Sequence, residues 1–127
     1  MAVKLNHTIV WSRDKSASAN FLSEIMGLGP PVPFAHFLGV QVANEVTLDF
    51  GDDSGEIPVQ HYAFLVEESE FDTIFKRIKE RDLAYWADPY LRRPGEINRH
   101  DGGRGVYFKD PSGHLLEVIT RPYGGGS

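Results

Sequence analysis

Between residues 71 and 78 the apolar side chains fall at Phe71, Ile74, Phe75 and Ile78. This i, i+3, i+4, i+7 spacing lays one apolar stripe along a helix. Ser69 and Asp72 resemble a capping box at its start, with aspartate where glutamate or glutamine is usual. An earlier segment carrying Phe21, Leu22 and Ile25 predicts a second helix, and Gly27 is placed to stop it in the left-handed conformation. Short runs rich in β-branched, aromatic and leucine residues predict strands: "FAHFLGVQV" and "EVTLDF" in the first half, "AYWA", "GVYFKD" and "HLLEVIT" in the second. Glycine, proline and aspartate divide them.

The two halves begin alike. "HTIVWSRDKSASANFLSEI" from His7 and "HYAFLVEESEFDTIFKRI" from His61 each show a histidine, an apolar strand run, a polar turn and a helix. Each helix has a phenylalanine fourteen residues after the histidine, Phe21 and Phe75. Two or three strands follow in each half. The pattern predicts an α+β fold of two such units, about residues 4–55 and 58–122, joined by "GDDSGEIP". Together they make a single domain over 1–123, with helices outside and sheets curled around a shared cleft. The tail "PYGGGS" has nothing to pack beyond Tyr123, so 124–127 are expected to be flexible.

Composition narrows the function classes. A formal charge of −5, with scattered basic residues, provides no footprint for a nucleic-acid backbone. No apolar run approaches the roughly 20 residues that span a bilayer, and the start "MAVKLNHTIV" lacks the apolar core of a secretion signal. The expected location is cytoplasmic, with no membrane partner. Cysteine is absent, which excludes disulfides, thiolate nucleophiles and cysteine-ligated metals. Any metal must use His, Asp or Glu.

Glu117 lies inside the strand-like run "HLLEVIT". A lone buried carboxylate is costly, so it needs a partner: an arginine, a hydrogen-bond network or a metal ion. His7 and His61 open equivalent strands of the repeat. With the halves packed symmetrically, His7, His61 and Glu117 meet on the cleft floor. Two imidazoles and a carboxylate form the facial set that holds non-haem iron(II) and also suits manganese, zinc or nickel. A single histidine on a strand is more often a hydrogen-bonded structural residue; the matched positions are what point to ligands.

Through "LNHTIV", "VQHYAFLV" and "GVYFKDPSGHLLEV" the chain resembles the vicinal oxygen chelate superfamily over residues 4 to 122. That superfamily contains glyoxalase I, fosfomycin-resistance proteins, bleomycin-binding proteins and type I extradiol dioxygenases. The resemblance implies paired βαβββ modules, a shared metal-binding cleft and a divalent metal on His7, His61 and Glu117. Iron(II) or manganese(II) comes ahead of zinc(II) or nickel(II). It also implies a small-molecule substrate and a homodimer.

His100, Val106-Tyr107, Asp110-Pro111, Gly113 and Glu117 match the spacing of the extradiol pattern, with Asn98 two before the histidine. By that resemblance Tyr107 hydrogen-bonds a substrate oxygen and His100 touches substrate or bound oxygen. A packed tyrosine and an exposed loop histidine are the plainer readings. The expected activity is therefore dioxygenation of a catechol-like or vicinally oxygenated small molecule. The alternatives are a glyoxalase- or fosfomycin-resistance-like lyase, isomerase or transferase, or a non-enzymatic drug-binding resistance protein.

The pattern also departs from that family. Extradiol enzymes carry an acid-base histidine about fourteen residues before the second ligand histidine, and Thr47 stands there instead. His36, within "PFAHFLG", is a substitute candidate or a buried structural histidine. Asp49 mirrors Glu117 in the first unit, where glyoxalase I has a fourth ligand; a position behind the ligands or a surface acid is favoured for it. The long connection "ADPYLRRPGEINRHDGGRG" suggests a lid whose Arg92, Arg93, Arg99 and Arg104 face an anionic substrate, or else a solvated loop. Arg121 is a further candidate for substrate binding. Tyr85 and Trp86 are read as an aromatic wall or as core.

Overall fold

The computed structural model describes residues 3–123; the predicted flexible tail, 124–127, lies outside them. The chain divides into two compact units, Met1–Pro58 and Val59–Ser127. Each is an α+β unit of one strand, one helix and three further strands.

The first unit contains β1 (His7–Ser12), α1 (Lys15–Met26), β2 (Val32–Phe34), β3 (Phe37–Gln41) and β4 (Thr47–Asp52), with sheet order β1-β4-β3-β2. β1 runs parallel to β4, and the other pairs are antiparallel. The second unit contains β5 (His61–Leu65), α2 (Glu68–Glu80), β6 (Tyr85–Trp86), β7 (Gly105–Lys109) and β8 (Leu115–Ile119), in order β5-β8-β7-β6. Again the first strand is parallel to the last.

Alternation along the strands sorts side chains onto two faces. Val10, Val40, Leu48 and Phe50 are buried in the first sheet, as are Val106, Phe108, Leu116 and Val118 in the second. Ala19, Leu22 and Ile25 of α1 are buried with the former set, and Phe71, Ile74 and Ile78 of α2 with the latter. The predicted stripe of α2 is present, with Phe75 half-buried and its ring edge-on to Tyr85 at 5.1 Å. Tyr85 thus packs against the helix. The opposite face of each sheet carries the histidines and acids.

Helix ends follow local chemistry. The Asp14 carboxylate accepts from the N–H groups of Ser16 and Ala17, and Gly27 stops α1 at φ 71°. At α2 the capping box uses Glu67 and Glu70, not Ser69 and Asp72. The helix starts as soon as β5 ends, which frees Asp72 to pair with Arg104.

Two further expectations change. "FAHFLGVQV" is a hairpin and not one strand, because Ala35, at φ 52°, turns the chain between β2 and β3. Gly51 and Asp52 belong to β4 and not to the linker, pairing with Trp11 and Ser12. A Cβ at Gly51 would lie 2.8 Å from the Trp11 ring and 2.9 Å from Phe37, so glycine lets both rings close over the strand.

Candidate functional site

Glu117 is 1% exposed in the middle of β8, opposite Ala63 of β5 and Tyr107 of β7. Its neighbours Leu116 and Val118 point to the helix side, so period-two alternation aims the carboxylate away from α2. His61 lies two residues before Ala63 and shares that face. Its Nε2 stands 2.9 Å from Glu117 Oε1. The other oxygen, Oε2, accepts from the Tyr123 hydroxyl. Of the three partners open to Glu117, the described residues of this unit supply a hydrogen-bond network.

Tyr107 completes the network. Its hydroxyl is 3.3 Å from that of Tyr123, and its ring lies 5.8 Å from His61. With the Tyr123 proton directed at Glu117, Tyr107 donates to Tyr123. Burial first, and then the negative charge of the nearby Glu117 carboxylate, hold the Tyr107 hydroxyl well above the ordinary tyrosine range. It therefore stays a neutral donor at physiological pH. His100 is exposed in a short 3-10 turn (His100–Gly102), with its ring edge-on to Tyr123 at 6.2 Å.

The strand ends are fixed by the "DPSGH" segment. Asp110 Oδ1 accepts from the N–H groups of Ser112 and His114, while Gly113 supplies φ 92°. The buried His114 accepts from Gln60 N through Nδ1 at 3.0 Å. These bonds tie the start of β8 to the segment leading into β5. They set the register that carries both His61 and Glu117.

In the first unit His7 is exposed at the start of β1. Its Nδ1 lies 2.8 Å from Asn6 Oδ1. An amide oxygen only accepts, so Nδ1 carries the proton of this bond, and the neutral tautomer it selects has its lone pair on Nε2. Asp49 is 8% exposed, opposite Ile9 and Gly39. His7, Asn6, Thr47, Gly39 and Asp49 line a cleft of about 770 Å³ together with Val32 and Phe34. Asp49 is thus a buried acid facing a cleft and not a surface acid.

The remaining candidates are placed as follows. His36 sits exposed in the β2–β3 turn, which overturns the buried alternative; its carbonyl accepts from Lys15 Nζ. Arg104 is committed to Glu68 and Asp72, at 2.8 Å each, with its guanidinium over the Phe71 ring. Arg93 pairs with Glu96. Arg104 is therefore an anchor of its own unit and not a free clamp for an anion, whereas the Arg93 pair lies exposed on the surface. Arg99 is exposed beside His100, and Arg121 is exposed with its stem against Gly103, where a Cβ would come within 2.9 Å. Asn98 is buried and pins the loop by donating to Ala87 O.

Two participants escaped the sequence reading. Asn6 orients His7, and its adjacency to the histidine was the available signal. Tyr123 reaches Glu117 only because the chain folds back after β8, and no spacing announces that.

Each unit opens on a histidine and sets an acid on the strand parallel to it, which defines a protein of paired βαβββ modules. The chain belongs to the Glyoxalase/Bleomycin resistance protein/Dioxygenase superfamily, whose family model matches residues 4–118. It is similar to the solved structure of Oxidase ChaP-H1, at 64% identity and TM-score 0.95, covering 98% of this chain and 100% of that one. It is also similar to Glutathione transferase FosA of Serratia marcescens, 27% identical over 93% of this chain and 81% of FosA. A 60-residue match to Metallothiol transferase FosB of Shouchella clausii (strain KSM-K16) is 40% identical and takes in 47% of this chain but only 37% of FosB. No helix among the described residues is long and apolar enough to cross a membrane.

Proposed function

We propose that this protein is a metal-dependent oxygenase of its superfamily, acting on a vicinally oxygenated aromatic small molecule, with His7, His61 and Glu117 as metal ligands. The observation that carries the reading is the buried Glu117 carboxylate beside the His61 imidazole on the helix-free face of β8 and β5. The donor types fit a divalent cation of intermediate softness, with iron(II) or manganese(II) first. Asn6 supports the same reading by holding His7 in the tautomer that leaves Nε2 unprotonated. Similarity to an oxidase over the whole chain favours oxygen chemistry.

A metal held by His7, His61 and Glu117 would act as a Lewis acid toward two vicinal substrate oxygens and supply one-electron chemistry toward dioxygen. The residues of the chain do the rest. Tyr107, held neutral, donates to a substrate oxygen and keeps its own proton. His100 flanks the same cluster from the exposed side. Thr47 cannot move a proton as the missing histidine would, so His36 is the candidate for that role. By family resemblance the protein acts as a homodimer.

Likeness to the two transferases supports a second reading, in which a thiol is added to an electrophile. The readings separate in one experiment: anaerobically prepared protein and Glu117→Ala, analysed for metal and then given a catechol or a thiol. About one iron or manganese per chain, lost in the variant, with oxygen uptake on catechol, supports the oxygenase. Thiol consumption without oxygen uptake supports the transferase. Metal absent from both samples overturns both readings.

A further inference from the structure

Tyr123 touches Glu117, yet the proposed chemistry leaves it without a role. Its hydroxyl donates to Oε2 of that acid and stands 3.3 Å from the Tyr107 hydroxyl, while its ring is edge-on to His100 at 6.2 Å. Glu117 therefore has two contacts, and a metal would treat them differently. His61 Nε2 stands 2.9 Å from Oε1. A ring nitrogen that donates a proton has no lone pair to offer, so this contact is given up when both residues turn to an ion. The bond from Tyr123 to Oε2 uses no atom that a ligand bound through Oε1 needs. It is the contact able to hold the carboxylate once the site is filled.

Tyr123 lies beyond the last strand, which ends at Ile119, so its place has to be built by the chain that follows. Thr120 N donates to Arg104 O at 3.0 Å, and Thr120 Oγ1 accepts from Arg104 N at 2.8 Å. These bonds tie the outgoing chain to the loop that precedes β7. Arg104 is itself fixed to α2 through Glu68 and Asp72. The two segments lie this close because residue 103 is glycine. A Cβ there would stand 2.6 Å from Thr120 Oγ1 and 2.9 Å from Arg121 Cγ. Thr120 Oγ1 is already engaged and cannot swing aside without losing a bond. Pro122 then fixes φ in the residue before Tyr123, which limits the ways the chain can turn back.

We infer that Tyr123 is a positioning residue for Glu117, holding Oε2 so that Oε1 is presented to the metal, and that Gly103 makes this possible by admitting the returning chain. The inference rests on the proposed function in taking Glu117 to be a ligand. Groups that orient a ligating side chain contribute about ten- to hundredfold in metal affinity.

The test is a titration of the chelator-treated full chain with manganese(II), followed by electron paramagnetic resonance, and with cobalt(II), followed by visible absorption. Tyr123→Phe keeps the ring beside His100 and removes only the hydroxyl. It should weaken both metals by about ten- to hundredfold and alter the cobalt spectrum, which a residue that merely packs would leave unchanged. Gly103→Ala touches no ligand and should weaken both metals in the same direction. Combined with Tyr123→Phe it should add little, because both changes remove one contact. If Gly103→Ala does not fold, Tyr123→Phe decides alone. Wild-type affinity and spectrum in Tyr123→Phe would overturn the inference; with binding still lost in Glu117→Ala, the ligand reading would stand. Equal affinity in wild type and Glu117→Ala would instead remove Glu117 from the ligands, and this inference with it.

Discussion

Asp49 and Glu117 hold the same address in their respective sheets. Asp49 lies across from Ile9, two residues after His7, and Glu117 lies across from Ala63, two residues after His61. Both are buried, and both lie on the face turned away from the helix. The surroundings have diverged. Glu117 has a histidine and a tyrosine on its two oxygens, whereas Asp49 faces a cleft beside a glycine. One template therefore carries an acid bonded within its own unit in one case and an acid facing a cleft in the other.

The Tyr123 contact should be measurable without any activity. Tyr123→Phe removes the donor to Glu117 Oε2, and because Tyr123 is 47% exposed, water replaces part of it. A loss of about 1 kcal/mol in urea unfolding of the metal-free protein is expected. A double-mutant cycle with Glu117→Ala, which removes the acceptor, should show coupling between the two positions. Strict additivity would mean that the contact contributes nothing.

Tyr107 supplies a pH dependence. Its ionisation is raised above the ordinary tyrosine value of about 10, by burial first and by Glu117 second. The unfolded chain releases that proton at lower pH than the folded chain. Stability from this group is therefore complete below about pH 10 and declines as pH climbs from there toward the folded value. Tyrosine absorbance in an alkaline titration of native protein should show a group that ionises after the others, absent from Tyr107→Phe. The same variant should retain metal and turn over about tenfold or more slowly, as expected for loss of one positioned donor. Unchanged turnover would return Tyr107 to a packing role.

Asn98 holds the loop that presents Arg99 and His100. Its Nδ2 donates to Ala87 O at 2.9 Å, its Oδ1 accepts from His100 N, and its backbone bridges to Gly105. Asn98→Ala leaves a buried carbonyl short of a donor and should cost about 1–3 kcal/mol. Amide exchange in the segment from Ala87 to Arg104 should accelerate more than exchange in α2. Uniform acceleration over the whole chain would contradict a local pin.

Gly51 offers a steric test. Alanine there puts a methyl group against Trp11 and Phe37. Overpacking of this kind costs about 1–3 kcal/mol, and Trp11 fluorescence should shift as its ring moves. An unperturbed spectrum with wild-type stability would show that the rings yield freely.

Much of the fold was legible because it rests on local rules. The α2 stripe, the Gly27 stop, the repeated start at His7 and His61 and the buried setting of Glu117 follow from periodicity, from conformational preference and from β-branched composition in the chain itself. Other features depend on residues that meet only after folding. The capping box moved to Glu67 because β5 ends where it does, and Arg104 was claimed by Glu68 and Asp72. Gly51 joined β4 because it pairs across the ladder with Trp11 of β1. Tyr123 found Glu117 through a return of the chain, and the open cleft at Asp49 came from a glycine placed beside it across a ladder. Local pattern sets which elements form and which face each residue takes. The partner of a buried charge is chosen by long-range packing, and no spacing along the chain encodes it.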